Sequence, residues 1–298
     1  MMNAAKAPFV SICLLTYNRQ AKLGQTLDSL LLQSHENFEL IINDDNSPDN
    51  TSALCQEYEL RDKRVRYYKN SKNLRYAGNQ NAALSRAKSD LVAIVHDGDV
   101  YRPDLIAKWT QAMIEFESAA LVFNALEEMD RDGTVINLYR HDYGPLVRGR
   151  KLLLEMIQSP FSPIYGIVMV RKSYMAQTGT FDLTLPTLCD VDMWMRLLER
   201  YDAAYISEPL IKISARESGH YNHIGNWKVK HEYERIYQMS IERMFSSSSQ
   251  DDTAIRHRVR RMLWIERLRW FGILLKRIRI TKIFEGLIYC LRFPLVGR

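Results

Sequence analysis

Leu91-Val92-Ala93-Ile94-Val95-His96-Asp97-Gly98-Asp99 is an apolar run that ends in two carboxylates with one glycine between them. Its first five residues are all apolar and mostly β-branched, which predicts a buried strand. Asp97 and Asp99 follow where that strand ends, and Gly98 allows a tight turn with room for a ligand. Two carboxylates on one side of a turn suit Mg²⁺ or Mn²⁺ that also holds phosphate oxygens. A solvated turn after a core strand explains this stretch equally well, so the surrounding sequence has to decide.

Two earlier apolar runs also end in polar residues. Residues 9–17 predict a first buried strand with a turn at Asn18-Arg19, and residues 38–43 predict a second strand, followed by Asp44-Asp45 and other turn-forming residues. Apolar spacing and alanine-rich composition predict helices between the strands. The elements predicted in this part of the chain are a helix over 23–33, a helix from near residue 50 to Arg61, a strand over 65–69 and a helix over 79–87.

The alternation of strands and helices predicts an α/β fold with a parallel sheet and helices on both of its faces. Ligands bind such sheets beyond the carboxyl ends of the strands. The polar clusters that begin at Thr16, Asp44 and Asp97 all follow strand ends, so we expect them to share one edge. After residue 120 the pattern becomes mixed. The elements predicted there are a helix over 103–116, strands over 119–125, 134–139 and 164–170, a hairpin turn at 130–133, and a helix that opens at Asp190.

The composition is that of a globular protein with a substantial core, since 46% of its 298 residues are hydrophobic and 26% are charged. The four cysteines are scattered and form no Cys-x-x-Cys pair, which argues against a disulfide framework or a zinc ribbon. No uncharged apolar stretch approaches the roughly 20 residues of a membrane span. Residues 1–8 lack the apolar core of a signal peptide. We therefore expect a cytoplasmic protein.

Positive charge is concentrated at the C-terminal end. Residues 253–298 contain 12 Lys/Arg and 2 Asp/Glu, a net charge of +10, whereas the whole chain carries +6. The polar run 246–252 predicts a linker, so we expect a catalytic domain over 1–245 and a basic amphipathic helical extension over 251–298.

Two explanations of this extension stay open. Basic helices with tryptophans bind anionic membrane surfaces, and Trp264 and Trp270 lie among its arginines. Alternatively, the extension is a helical hairpin that packs on the same chain or on a second subunit of a homo-oligomer. Nucleic acid is not an expected partner, because no nucleic-acid-binding motif accompanies the charge.

Four segments together resemble a known family: VSICLLTYNR (10–19), LIINDDNSPDNT (40–51), LVAIVHDGDVYRPD (91–104) and CDVDMWMRL (189–197). In this order and spacing they are similar to a family 2 glycosyltransferase with the GT-A fold, a Rossmann-like mixed sheet flanked by helices. The resemblance covers about residues 9–215. It implies a donor that is a nucleotide-activated sugar, and we expect a UDP-sugar.

The resemblance also implies roles for donor-site residues. Thr16 and Tyr17 would line the nucleotide pocket, and Asp45 would lie near the nucleobase and ribose. Arg75 occupies a position where some relatives place a basic residue against the base or phosphates. From the residues alone, Asp45 can instead cap the helix near Asn50, and Arg75 can be an ordinary surface arginine.

The metal and the catalytic base follow from the same resemblance. Asp97 and Asp99 match the D-x-D motif, which holds an Mn²⁺ or Mg²⁺ ion that bridges the donor diphosphate. Asp190 matches the second acid of the family's Glu-Asp pair, the base that activates the acceptor hydroxyl. Cys189 replaces the first acid of that pair. Without the resemblance, Asp190 is explained as a helix cap.

The histidines of a later loop, His220 and His223, lack a third ligand at an obvious spacing for a metal site. A loop that folds over the donor diphosphate and an ordinary polar loop both explain them.

These observations predict a metal-dependent, inverting glycosyltransferase that transfers a sugar to a hydroxyl of a glycan or lipid-linked acceptor. A cytoplasmic domain with a basic extension suggests surface-polysaccharide synthesis at the inner face of a bacterial cell membrane. One alternative is a sugar-1-phosphate nucleotidyltransferase. Such enzymes carry a glycine-rich loop after the first strand, whereas Thr16-Tyr17-Asn18-Arg19 has no glycine. Another alternative is a noncatalytic scaffold that binds nucleotide sugars.

Overall fold

The structure is a computed structural model that describes residues 7–158, 162–215 and 227–244, together with Arg261 and Trp264. Contacts divide the chain into two compact units, one over residues 1–156 and 161–215 and the other over 157–160 and 216–298. The predicted linker at 246–252 lies outside the described residues, and so does the extension over 251–298 apart from Arg261 and Trp264. The division into domains over 1–245 and 251–298 therefore stays a prediction.

The first unit is built on a single mixed sheet, and its described residues supply ten strands. The strands are β1 (Val10–Thr16), β2 (Phe38–Asp44), β3 (Val65–Lys69), β4 (Leu91–His96), β5 (Val100–Tyr101), β6 (Ala119–Met129), β7 (Val135–Tyr139), β8 (Leu146–Val147), β9 (Val168–Arg171) and β10 (Asp202–Ser214). Their order is β3-β2-β1-β4-β9-β6-β10-β5, with β7 paired to β6 and β8 paired to β10.

Helices α1 to α7 connect or follow these strands. Their bounds are α1 (Gln20–Leu31), α2 (Thr51–Arg61), α3 (Arg75–Arg86), α4 (Leu105–Glu115), α5 (Gly149–Gln158), α6 (Lys172–Thr178) and α7 (Cys189–Leu198). Helices α2 and α3 contact the β2 side of the sheet, whereas α4 and α7 contact β10. This layered arrangement is the predicted α/β fold.

The first four strands of the sheet order are parallel, as the alternation of strands and helices predicted. Strand β1 pairs in parallel with β2 on one side and with β4 on the other, and β2 pairs in parallel with β3. Every residue of β1 and β2 is buried, which explains why apolar residues predominate on both faces of these strands. In the edge strand β3 only Val65 is fully buried.

The sheet becomes mixed where the sequence pattern changes. Strand β9 lies antiparallel between β4 and β6, and the β6–β7 hairpin turns at the predicted position. The carboxylate of Asp130 accepts the backbone N–H groups of Asp132 and Thr134, and Gly133 takes a φ of +84° in that turn.

Three predicted boundaries are corrected by the structure. Helix α1 begins at Gln20 rather than at residue 23, and α3 begins at Arg75 rather than at residue 79. The predicted strand over 164–170 is wrong for its first half, because only Val168–Arg171 is a strand. The Ser162 hydroxyl donates to the Ile164 carbonyl and accepts the Ile164 N–H group, which bends the chain into a turn.

In the second unit, residues 227–244 form helix α8 (Trp227–Met244). Within the described part of the chain, no helix combines the length and the apolar character needed to cross a bilayer.

Candidate active site

The parallel register brings the predicted polar clusters to one edge of the sheet. Thr16 pairs with Asp44 across β1 and β2, and Leu15 pairs with His96 across β1 and β4. Two backbone bonds continue the pairing past the strand ends, from the Asp45 N–H group to the Thr16 carbonyl at 2.9 Å and from the Asp97 N–H group to the Leu15 carbonyl at 3.3 Å. The expectation that these clusters share an edge is confirmed.

The Asp97-Gly98-Asp99 turn is held by residues that are distant in sequence. The Thr26 hydroxyl donates to the Asp99 carbonyl at 2.8 Å and accepts the Gly98 N–H group at 3.0 Å. The Ser214 hydroxyl donates to the Gly98 carbonyl at 2.6 Å. Gly98 has a φ of +83°, a conformation that side chains disfavour. Sequence reasoning missed Thr26 and Ser214, because nothing local to either residue indicates this contact.

Both carboxylates of this turn are largely shielded from solvent. Asp97 Oδ2 accepts the Tyr17 N–H group at 3.2 Å, and its Oδ1 lies 3.8 Å from Arg19 Nε. Burial raises the pKa of Asp97, and the charges of Arg19 and Lys22 oppose that rise. Asp99 is 8% exposed, and its Oδ1 accepts the Ser214 N–H group at 3.2 Å. Arg19 and Lys22 were not predicted as site residues.

The Asp97 and Asp99 carboxylates suit a metal ion that is also bound by substrate phosphates. Among the described residues, no group of three or more His, Cys, Asp or Glu side chains is arranged to enclose a metal. Mg²⁺ is commonly held by one or two carboxylates together with substrate phosphates. Asp97 and Asp99 therefore suit an ion that completes its coordination with a ligand's oxygens, and a cation beside Asp97 would stabilise its buried charge.

The two acids after β2 have different surroundings. Asp44 is fully buried, and its carboxylate accepts hydrogen bonds from the Ser47 N–H group and the Tyr67 hydroxyl, both at 2.8 Å. Asp45 Oδ1 accepts the Leu74 N–H group at 2.7 Å and the Asn70 amide at 3.0 Å. Asp45 thus binds the backbone just before α3, and not the start of α2 that was considered for it.

The remaining predicted donor residues lie around the same edge. The Thr16 side chain is buried, whereas the Tyr17 ring is 47% exposed. Arg75 is the first residue of α3, directly after the Leu74 that binds Asp45, and its side chain is exposed. Its φ of +63° is uncommon for a residue with a side chain, and such conformations concentrate at functional sites. His220 and His223 lie outside the described residues.

The predicted base, Asp190, lies near this edge although it is distant in sequence from β1, β2 and β4. It lies in the first turn of α7, where the positive end of the helix dipole favours a carboxylate. Its Oδ2 lies 3.4 Å from the Tyr76 hydroxyl, which also lies 3.2 Å from His96 Nε2. His96 immediately precedes Asp97, so Tyr76 joins the predicted base to the predicted metal turn. Sequence reasoning missed Tyr76 and assigned no role to His96.

Contacts between α3 and the α7 region hold Asp190 in place. The Gln80 amide donates to the Cys189 Sγ atom at 3.3 Å. Asn81 exchanges two hydrogen bonds with the backbone of Phe181, at 3.0 and 2.9 Å. Cys189 is fully buried, so the residue that departs from the family's acid pair lies in the helix packing.

Asp192 is held by a second set of contacts. It is 1% exposed, and Arg196 Nε donates to its carboxylate at 2.8 Å. The same arginine donates to the carbonyl groups of Thr178 and Thr180. These contacts tie the first turn of α7 to the end of α6 and the segment after it.

Comparison with known proteins places the chain in a family. The family described as "Glycosyl transferase family 2" matches residues 11–179. A Bacillus subtilis relative, TuaG, named as a teichuronic acid biosynthesis glycosyltransferase, is 31% identical over 199 residues, which are 66% of this chain and 75% of TuaG. The B. subtilis glycosyltransferase EpsE is 26% identical over 215 residues, covering 69% of this chain and 73% of EpsE.

Solved structures support the fold. The crystal structure of S. aureus TarS 1–349 in complex with UDP-GlcNAc matches with a TM-score of 0.69 and 16% identity, over 93% of this chain and 79% of the TarS chain. A second crystal structure of S. aureus TarS 1–349 matches with a TM-score of 0.63 and 16% identity, over 85% of this chain and 69% of the TarS chain. The mixed sheet flanked by helices is therefore the GT-A fold. The chain belongs to glycosyl transferase family 2.

Proposed function

We propose that the protein is an inverting, metal-assisted glycosyltransferase that moves a sugar from a UDP-sugar to a hydroxyl of a glycan or lipid-linked acceptor. The observation that carries this proposal is that one sheet edge joins Asp97, Asp99 and Asp190, with Tyr76 and His96 between the acids. The complex of TarS with UDP-GlcNAc supports the choice of a nucleotide-sugar donor.

The reaction is a substitution at the anomeric carbon of the donor sugar. The bond from that carbon to the diphosphate oxygen breaks, and the acceptor oxygen bonds to the carbon from the opposite face, which inverts its configuration. Asp190 takes the proton of the acceptor hydroxyl, so it must be ionised and within hydrogen-bond reach. A divalent cation at Asp97 and Asp99 would supply positive charge beside the departing diphosphate.

The nucleotide is assigned to the edge between β1 and α3. Thr16 and Tyr17 end β1, and Asp45 fixes the backbone that leads to Arg75. The exposed Tyr17 ring and the exposed Arg75 side chain can contact a base or phosphates, since both reach solvent at this edge.

We further propose that the acceptor belongs to bacterial surface-polysaccharide synthesis at the inner face of the cell membrane. The similarity to TuaG, which is named as a teichuronic acid biosynthesis glycosyltransferase, supports a polysaccharide acceptor. The basic extension over 251–298 would hold the enzyme at anionic lipid, where each Lys or Arg near the surface contributes about 1 kcal/mol. The alternative for this segment is a helical hairpin that packs on the same chain or on a second subunit.

A donor screen tests the proposal. Purified protein is incubated with UDP-, GDP-, CDP- and dTDP-sugars in Mn²⁺ or in EDTA, with water as the acceptor, and nucleoside diphosphate release is measured. We expect release from a UDP-sugar that depends on Mn²⁺. Release of pyrophosphate from a sugar-1-phosphate and UTP would instead identify a nucleotidyltransferase. Binding of a nucleotide sugar without any turnover would identify a noncatalytic scaffold.

A further inference from the structure

We propose that Tyr76, held by His96, is a positioning residue that aims the Asp190 carboxylate at the acceptor. This inference rests on the proposed role of Asp190 as the base. Neither the family resemblance nor the sequence pattern assigned a role to Tyr76 or His96.

The three side chains form a short hydrogen-bond chain. The Tyr76 hydroxyl lies 3.2 Å from His96 Nε2 and 3.4 Å from Asp190 Oδ2, and the Tyr76 and His96 rings meet edge to face with centroids 5.7 Å apart. The hydroxyl has a single hydrogen, and an ionised carboxylate is a stronger acceptor than a neutral imidazole. The hydrogen bonds therefore run from His96 Nε2–H to Tyr76, and from the Tyr76 O–H group to Asp190.

Gly166 leaves space for these three hydrogen-bonded side chains. A Cβ atom built on Gly166 would lie 2.6 Å from the Tyr76 hydroxyl, 2.7 Å from His96 Cε1 and 3.0 Å from Asp190 Oδ2. Real Cβ atoms essentially never approach other atoms to less than 3.0 Å. A side chain at position 166 would thus collide with all three members, whereas glycine leaves room for them to meet.

Helix packing fixes the direction from which Tyr76 approaches. Tyr76 and Gln80 are four residues apart on α3 and so lie on one face of that helix. Gln80 contacts Cys189, and Tyr76 contacts the next residue, Asp190. Because the same face of α3 makes both contacts, the hydroxyl is held against the start of α7 by the packing of two helices.

A base needs this kind of restraint. A carboxylate on an unrestrained side chain rotates, and a small misplacement of a reacting group lowers the rate strongly. A hydrogen bond from Tyr76 limits the rotation of Asp190 and favours its ionised form. His96 in turn limits the rotation of the Tyr76 hydroxyl.

The test is a double-mutant cycle on donor hydrolysis, with water as the acceptor and UDP-GlcNAc as the first donor of the panel. Tyr76→Phe should lower kcat about tenfold, as expected for loss of a hydrogen bond to a charged group, with little change in the Kd of UDP. In the Asp190→Asn background, Tyr76→Phe should cause no further loss, because Tyr76 acts through the Asp190 carboxylate.

Three further variants sharpen this test. His96→Leu should lower kcat as Tyr76→Phe does, whereas His96→Gln should restore the rate, because its amide can donate to the Tyr76 hydroxyl. Tyr58→Phe is the matched control, since it removes a tyrosine hydrogen bond to a carboxylate, 2.7 Å to Asp28, away from the sheet edge.

The outcomes separate the two proposals. The inference is overturned if Tyr76→Phe keeps the wild-type kcat while Asp190→Asn does not, or if Tyr76→Phe costs equally in both backgrounds. If Asp190→Asn keeps the wild-type rate, Asp190 is not the base. If the wild-type protein turns over no nucleotide sugar, the proposed function is wrong.

Discussion

Replacing Gly166 with alanine should damage catalysis more than it damages folding. The new methyl group would lie 2.6 Å from the Tyr76 hydroxyl, whereas ordinary van der Waals contact begins near 3.4 Å, so the atoms must separate by close to 0.8 Å. A displacement of this size at a catalytic group costs roughly 10²-fold in rate. Overpacking of this kind typically costs about 1–3 kcal/mol in stability.

The assay compares three quantities for Gly166→Ala and the wild type: kcat for UDP-sugar hydrolysis, the Kd of UDP with Mn²⁺, and Tm. A loss of 1 kcal/mol lowers Tm by about 2–4 °C for a domain of about 150–250 residues, so the variant should stay folded at 25 °C. We expect kcat to fall by about 10²-fold and the Kd to stay within a few-fold, because the three atoms nearest to the new methyl group belong to Tyr76, His96 and Asp190 and not to the donor residues on β1 and β2.

Gly144→Ala is the matched control, since a Cβ atom there would meet nothing within 4 Å. It should match the wild type in all three measurements. If Gly166→Ala hydrolyses the donor at the wild-type rate while folded, the packing of Gly166 against Tyr76, His96 and Asp190 does not govern the base, and the reasoning is refuted.

Three further predictions concern the metal turn, the extension and the core. Calorimetry should show that Asp99→Ala binds UDP much more weakly than the wild type in Mn²⁺ and nearly as well in EDTA. Equal affinities of the two proteins in Mn²⁺ would exclude Asp99 as a metal ligand. Truncation after Ser249 should abolish cosedimentation with anionic liposomes while UDP binding persists, and failure of the full chain to bind these liposomes at low salt would favour a packing or dimer role. Burial raises the pKa of Cys13 and Cys55 to about 12, so these thiols are neutral at pH 8. In Cys290→Ser, Ellman's reagent should therefore detect no thiol until guanidinium unfolds the protein, and rapid native labelling would contradict the buried core.

Much of the sheet edge could be predicted before any coordinates were known. Strands β1, β2 and β4 are mostly apolar and turn polar at their carboxyl ends, so these ends are encoded locally. Parallel strands joined by helices must place their carboxyl ends together. Thr16, Asp45 and Asp97 therefore share an edge as a direct consequence of the sequence pattern. Their chemical roles came from the family resemblance and remain proposals.

Local pattern failed where a residue's partner lies far along the chain. A cap for the next helix was the local alternative for Asp45, but its carboxylate binds Leu74, which is 29 residues away and precedes α3. The apolar residues 164–167 looked like a strand, but the Ser162 turn bends this segment.

The sequence by itself determined the α/β alternation, the strand ends and the acidic turn, because each depends on neighbouring residues and on the periodicity of side chains. Only the tertiary structure decided that Tyr76 meets Asp190 across 114 residues, that Ser214 binds Asp99 across 115, and that Thr26 holds Gly98 across 72. Such contacts depend on how α3, α7 and β10 pack around the sheet, and no spacing within any one segment encodes that packing.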